Sequence, residues 1–350
     1  MTQNYQNVFL QSLAIAQPPQ RISSLEIEQR LEPTYKRLNL HPGRLELMTG
    51  IRERRLCEKG VRPSELSVEA GQKALAESGL AKEKIGCLIH ASVCRDFLEP
   101  ATATVVHDRL GLSAHCQVYD VSNACLGWLN ALLQVANMIE LGQIEAGMVV
   151  SGEDGRALVE STIDALNADE NLNRKSIKGS LASLTIGSGG VAAILSNKNL
   201  AKDKPALLGG VSLSATEYYN LCQGGVDGGQ ATTHHVIMNT DSEAMLKAGV
   251  DLAADCFALA KKEWGLQVNE IDHFITHQVG SAHSRLIFER LELSVDKDFP
   301  TFSYLGNMGS ASIGTTLFLA NQEGRIHKGE DVLLMGIGSG LVTLFMRLKW

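Results

Sequence analysis

A chain of 350 residues is long enough for two core-bearing units or one large α/β unit, and 44% apolar with 20% charged residues is ordinary globular composition. The formal net charge of −7 argues against nucleic acid or an anionic membrane as the main partner. Seven cysteines, an odd number with no C-x-x-C pair, indicate neither a disulfide framework nor a zinc knuckle and fit a reducing cytoplasm.

In chain order, the opening MTQNYQNVFLQSLAIAQPPQ lacks a basic n-region and a long apolar core, so no signal peptide is expected there. No run approaches 18 consecutive apolar residues, so no membrane span is expected either. LSVEAGQKALAESGL reads as a helix, IGCLIHAS as a buried strand and TATVVHDRLGL as a second helix. This alternation predicts an α/β protein with covered sheets. The strand-like QVYDVSN then runs through Ala-Cys into the helical CLGWLNALLQVANMIELG. The polar stretch 155–178 breaks the rhythm and reads either as an inserted lid or as a solvated surface excursion.

The later half repeats the earlier one. EKIGCLIHAS (83–92) resembles NEIDHFITHQ (269–278), and CLGWLNALLQVANMIELGQI resembles NMGSASIGTTLFLANQEGRI. Gly142 then matches Gly324, an offset of 182 residues that places Cys125 on Asn307. The pattern predicts two copies of one α/β unit, divided as 1–200 and 201–350, each with a polar residue starting the equivalent helix.

Three residues stand where such folds place chemistry. Cys125 sits at a strand-to-helix junction, where unpaired N–H groups and the helix dipole favour a thiolate. His277 ends the strand IDHFIT, and Asn307 lies in the glycine-flanked LGNMGSAS before a helix. Each alone has an ordinary explanation: a filler cysteine, a core histidine, an N-cap. The paired His234 and His235 have no metal-ligand spacing, so zinc is not indicated. GSGG (187–190) and GIGSG (336–340) are not dinucleotide fingerprints, but the latter lets backbone N–H groups approach a substrate oxygen.

Together, TGIRERR (49–55), DVSNACLGW, THQ (276–278), GNMGSAS (306–312) and GIGSGL (336–341) resemble the thiolase superfamily on its ketoacyl synthase III branch. Within it, LEPTYKRL (31–38), SVCRDFLEPATA (92–103) and SATEYYNLC (214–222) look like the head-to-head acyl-CoA condensing enzymes of long-chain olefin biosynthesis, the OleA group. The resemblance implies a layered αβαβα core, a homodimer and CoA thioesters as substrates without a further cofactor. It also implies a Cys125–His277–Asn307 triad, with an oxyanion hole from the N–H groups of Cys125 and Gly340. Glu99, in RDFLEP, matches the base that reaches into the neighbouring subunit; without the resemblance it is a surface-loop glutamate. Arg52, Arg54 and Arg55 form a local basic cluster suited either to CoA phosphates or to structural ion pairs, and Arg285 joins them as a CoA-binding candidate. HQVGSAHSR departs from the usual synthase III pattern after the histidine by lacking its asparagine, which puts docking to acyl carrier protein in doubt. The expected reaction joins two acyl-CoAs into a β-keto acid or its thioester, for downstream lipid-processing enzymes. Decarboxylative ketoacyl synthase III chemistry is the alternative, and a non-condensing acyltransferase or silent partner subunit is the second.

Overall fold

The computed structural model describes residues 2–226 and 236–350, so the His234–His235 pair lies outside the described residues. After β1 (Thr2–Asn4) and β2 (Phe9–Ala16), the hairpin of β3 (Gln20–Ser23) and β4 (Glu53–Leu56) encloses three short helices, α1 (Ser24–Arg30), α2 (Glu32–Arg37) and α3 (Arg44–Thr49). Helix α4 (Pro63–Ser78) has proline at its first position and Gly79 in the left-handed region just past its end, the residues that start and stop helices most cheaply. There follow β5 (Ile85–Ala91), α5 (Thr102–Leu110), β6 (Gln117–Val121), α6 (Gly127–Glu140), β7 (Ala146–Glu153), α7 (Arg156–Ala168) and β8 (Gly189–Ser196). Beyond β9 (Ala206–Ser214) come the pair β10 (Cys222–Val226) and β11 (Val236–Thr240), then α8 (Ser242–Trp264), β12 (His273–Thr276), α9 (Ser281–Leu291), α10 (Phe302–Leu305), α11 (Ser312–Gln322), β13 (Asp331–Gly338) and β14 (Val342–Lys349).

Among the described residues the main sheet runs β12-β13-β14-β9-β2-β8-β7-β5-β6, with β1 beside β9. It consists of two arrays meeting at a seam. Within the regular register β2 and β9 share one pair, Phe9 with Ala206, supported by Leu10 N–H to Pro205 O (2.8 Å) and Leu207 N–H to Val8 O (2.9 Å). On either side the pattern is the same. β5 is parallel to β7, which is antiparallel to β8, which is antiparallel to β2; likewise β12 is parallel to β13, antiparallel in turn to β14 and β9. Helix α6 leads into β7 as α11 leads into β13.

Three apolar interfaces stack these layers. On one outer side α4 and α5 bury Leu66, Ala74, Val106 and Leu110 against Leu88, Met148 and Ile194. On the other, α8 and α9 bury Phe257, Ile287 and Phe288 against Leu333 and Phe345. Between the arrays α6 and α11 pack with Trp128, Leu132, Val135, Ile313 and Leu317 against both. The molecule is therefore the expected layered αβαβα arrangement, with the central helices largely buried: α6 exposes Gln134, and α11 exposes Asn321 and Gln322 at its end. The 155–178 stretch is not a simple solvated excursion: α7 buries Val159, Ile163 and Leu166 against Ile27, Leu31 and Leu45 of the helical hairpin. No helix among the described residues is long and apolar enough to cross a membrane.

Candidate active site

Cys125 follows β6 in a tight turn in which Ala124 has φ +45°, a left-handed conformation rare for a residue with a Cβ. Leu126 N–H returns to Asn123 O (2.9 Å), Gly127 N–H to Ala124 O (3.3 Å), and Trp128 N–H donates to Ser310 Oγ (2.7 Å). The helix start is thus already capped, with its first N–H groups engaged. The half-buried Cys125 thiol is not depressed, contrary to expectation. Burial first, then the Glu153 carboxylate and Cys222, push it up to about 12, opposed by its own backbone N–H. At rest it is a thiol.

The end of β13 comes close to this turn. A Cβ on Gly338 would lie 3.3 Å from Leu126 Cγ and 3.5 Å from the backbone nitrogens of both Cys125 and Leu126, so the strand end and the turn are in van der Waals contact. Gly340 occupies the following turn with φ +137°.

His277 directly follows β12, its N–H donating to Met335 O of β13 (3.1 Å). It is 3% exposed, and its Nδ1 has no hydrogen-bond partner among the described residues. Burial, reinforced by the adjacent His283, pushes the imidazole down to about 3, so at neutral pH it is an uncharged ring with one N–H to donate. Gln278 fixes the strand end: Nε2 donates to Thr276 O (2.8 Å), and Oε1 accepts from Thr301 N–H (2.7 Å) and Phe302 N–H (3.0 Å).

Asn307 pairs with the segment before β8. Its N–H donates to Thr185 O (3.0 Å) and its carbonyl accepts from Gly187 N–H (2.9 Å). The approach is close: a Cβ on Gly306 would stand 2.6 Å from Thr185 O, and one on Gly187 2.1 Å from Leu305 O. The side-chain Oδ1 accepts from Gly309 N–H (2.9 Å), leaving the amide NH₂ as a donor. The Gly187 of GSGG therefore positions the asparagine.

Two supporting residues escaped the sequence reading. Glu153, the last residue of β7 and 4% exposed, accepts from Val93 N–H (2.9 Å), Cys94 N–H (3.1 Å) and Ser310 N–H (3.1 Å). Burial nevertheless raises its carboxyl to about 7 against those donors. Ser310 Oγ, which caps Trp128, itself donates to Ala91 O (2.8 Å). Only polarity at a strand end and in a helix-start loop could have signalled them.

Glu99 lies on the β5–α5 loop. Asp96 N–H bonds to Thr102 Oγ1 (3.0 Å), Asp96 Oδ1 accepts from Ser64 N–H (2.9 Å), and Asp120 caps α5 through Thr102 and Ala103 N–H (both 2.8 Å). Glu99 itself is exposed, and among the described residues no hydrogen bond or ion pair joins it to Cys125, His277 or Asn307. Leu98 (91% exposed) and Val93 (51%) flank it on the surface.

The arginines separate. Arg54 is not a CoA ligand: it is 0% exposed, donating to Ser24 Oγ (3.0 Å) and Leu184 O (2.9 Å), with its Cβ beside Gly187 and Gly306. On β4 the residues alternate in and out, and position 54 faces in. Arg55 bonds Pro18 O (2.9 Å), whereas Arg52 is exposed and Arg285 is exposed 3.9 Å from Glu289.

Residues 46–206 match the thiolase N-terminal domain family, and residues 261–350 the 3-oxoacyl-[acyl-carrier-protein] synthase III C-terminal family. The chain is 41% identical to the acyl-CoA:acyl-CoA alkyltransferase of Shewanella oneidensis and 37% identical to that of Xanthomonas campestris, each over 99% of both chains. A β-ketoacyl-[acyl-carrier-protein] synthase III from Koribacter versatilis is 27% identical over 95% of both. Among solved structures, Xanthomonas campestris OleA with cerulenin bound superposes with a TM-score of 0.94 at 36% identity, covering 99% of this chain and 98% of that one. A cysteine-to-serine form of that protein, with bound lauric acid and lauroyl-CoA, superposes with a TM-score of 0.93 at 36% identity, covering 99% and 100%. The chain belongs to the OleA family of acyl-CoA:acyl-CoA alkyltransferases, within the thiolase superfamily.

Proposed function

We propose that the protein condenses two fatty acyl-CoAs head to head, without decarboxylation, through an acyl-Cys125 intermediate. One observation carries the reading: identity of 41% and 37% to acyl-CoA:acyl-CoA alkyltransferases along 99% of the chain. The residue pattern supports it. The cysteine and glutamate substituted in solved forms of the Xanthomonas protein lie 26 residues apart in its sequence, the spacing of Glu99 and Cys125 here.

In the first half-reaction Cys125 Sγ attacks the thioester carbonyl, its proton leaves with the CoA thiol, and the N–H groups of Cys125 and Gly340 hold the oxyanion. Because the thiol is neutral at rest, deprotonation accompanies attack rather than preceding it. In the second, the neutral His277 and the Asn307 amide donate to the carbonyl oxygen of the incoming acyl-CoA. Glu99 of the partner subunit removes its α-proton, and the carbanion displaces Cys125 to give a β-ketoacyl-CoA, which water converts to a β-keto acid and a second CoA. Of the four arginines, Arg52 and Arg285 are the exposed ones that meet CoA phosphates in this reading, Arg285 in exchange for its 3.9 Å pair with Glu289. A homodimer, a cytoplasmic location and lipid-processing enzymes that take up the reactive product complete this reading.

The test is intact-mass and product analysis with lauroyl-CoA alone and with lauroyl-CoA plus a malonyl-thioester. The expected result is an acyl adduct on Cys125 and condensed product from lauroyl-CoA alone. Product formed only with the malonyl substrate, and indifferent to Glu99→Gln, would replace this reading with decarboxylative synthase III chemistry.

A further inference from the structure

Glu153 has no part in the mechanism above, yet it lies buried among the groups that do. A buried carboxylate is costly unless hydrogen bonded, and three backbone N–H groups meet this one from both halves of the molecule. Oε1 accepts from Val93 and Ser310, and Oε2 from Cys94. Val93 and Cys94 open the loop that carries Glu99. Ser310 adjoins Gly309, whose N–H holds the Asn307 side chain (2.9 Å) and whose added Cβ would stand 3.2 Å from Oε1. The carboxylate therefore packs directly against the turn that aims the Asn307 amide.

We propose that Glu153 is a positioning residue: its oxygens hold the Asn307 turn and the Glu99 loop in register. This rests on the Asn307 and Glu99 roles proposed above.

Glu153→Ala removes both oxygens, whereas Glu153→Gln keeps one for Val93 and Ser310. In Glu153→Ala, condensation of lauroyl-CoA should slow about tenfold or more beyond any change in Cys125 acylation, and adding it to Asn307→Ala should cost nothing further; Glu153→Gln should lie between it and wild type. Equal slowing of acylation and condensation in Glu153→Ala overturns the proposal. Should Glu153→Ala not fold, Glu153→Asp, one methylene too short to reach all three N–H groups, takes its place. Failure of the head-to-head reading looks different: wild type itself would not condense two acyl-CoAs.

Discussion

The start of α6 and the approach to α11 occupy matching places in the two copies. Offset by 182 residues, Ala124 corresponds to Gly306, Cys125 to Asn307, Gly127 to Gly309 and Trp128 to Ser310. Ala124 and Gly306 both have positive φ, +45° and +68°, and Gly142 and Gly324 end the two helical stretches at +70° and +69°. The two starts then diverge: Gly127 opens α6 directly, whereas Gly309 has φ +52° and a 3₁₀ turn, Gly309–Ala311, precedes α11. Trp128 and Ser310 touch, the Ser310 Oγ capping Trp128 N–H across those 182 residues. The turns also differ in what each presents. One presents a sulfur beside a buried carboxylate; the other an amide NH₂ whose oxygen already accepts from Gly309. In the proposed reaction the first supplies the nucleophile and the second a hydrogen-bond donor, so the copies differ in both side chain and local backbone.

If the two turns divide the labour this way, Cys125→Ala should abolish the acyl adduct entirely, read as no mass increase with lauroyl-CoA; a persisting adduct at another cysteine would break the comparison. Asn307→Ala should leave the adduct forming while condensation slows on the order of 10²-fold, the usual cost of losing one preorganised donor. Parallel loss of both half-reactions would show that the turns are not separable. Gly306→Ala should cost about 2–3 kcal/mol in urea unfolding, because it adds positive-φ strain to a Cβ clash with Thr185 O. The helix beyond His277 gives a pH test. His283 is held near 4 by burial, below its usual value of 6.5, so the unfolded chain binds a proton that the folded one does not. Stability from this group is present above about pH 6.5 and is lost as pH falls toward 4. Wild type should therefore lose up to about 2 kcal/mol relative to His283→Phe between pH 7.5 and 5. A pH-independent gap would mean that His283 is not buried neutral. The smallest effect is Ala124→Gly, which relieves positive φ without a clash and should raise stability by less than about 1 kcal/mol.

The duplicated strands and helices were legible because their apolar periodicity and helix-ending glycines repeat along the chain. Cys125, His277 and Asn307 stand out because they interrupt that periodicity at element ends, while their triad roles are what the resemblance implies. What the residues could not disclose was which neighbours face each other. The thiolate expectation for Cys125 counted a helix start but not the Ser310 hydroxyl that caps it or the carboxylate of Glu153 from another strand. Arg54 looked like one of three equivalent cations in RERR, yet strand alternation alone turns it inward, away from Glu53 and Arg55. Glu99 could be read only through family resemblance, since its side chain lies exposed on the β5–α5 loop.

The Ser310 contact also sets an order of events during synthesis. Ribosomes release the chain from its N-terminus, so β6 and the Cys125 turn emerge long before residue 310. Until then the amide of Trp128 and the carbonyl of Ala91 lack the hydroxyl that joins them, and α6 has no α11 to pack against. A half-made chain therefore carries the Cys125 turn without its bridge to β5. The site proposed here is assembled only after residue 310 has emerged.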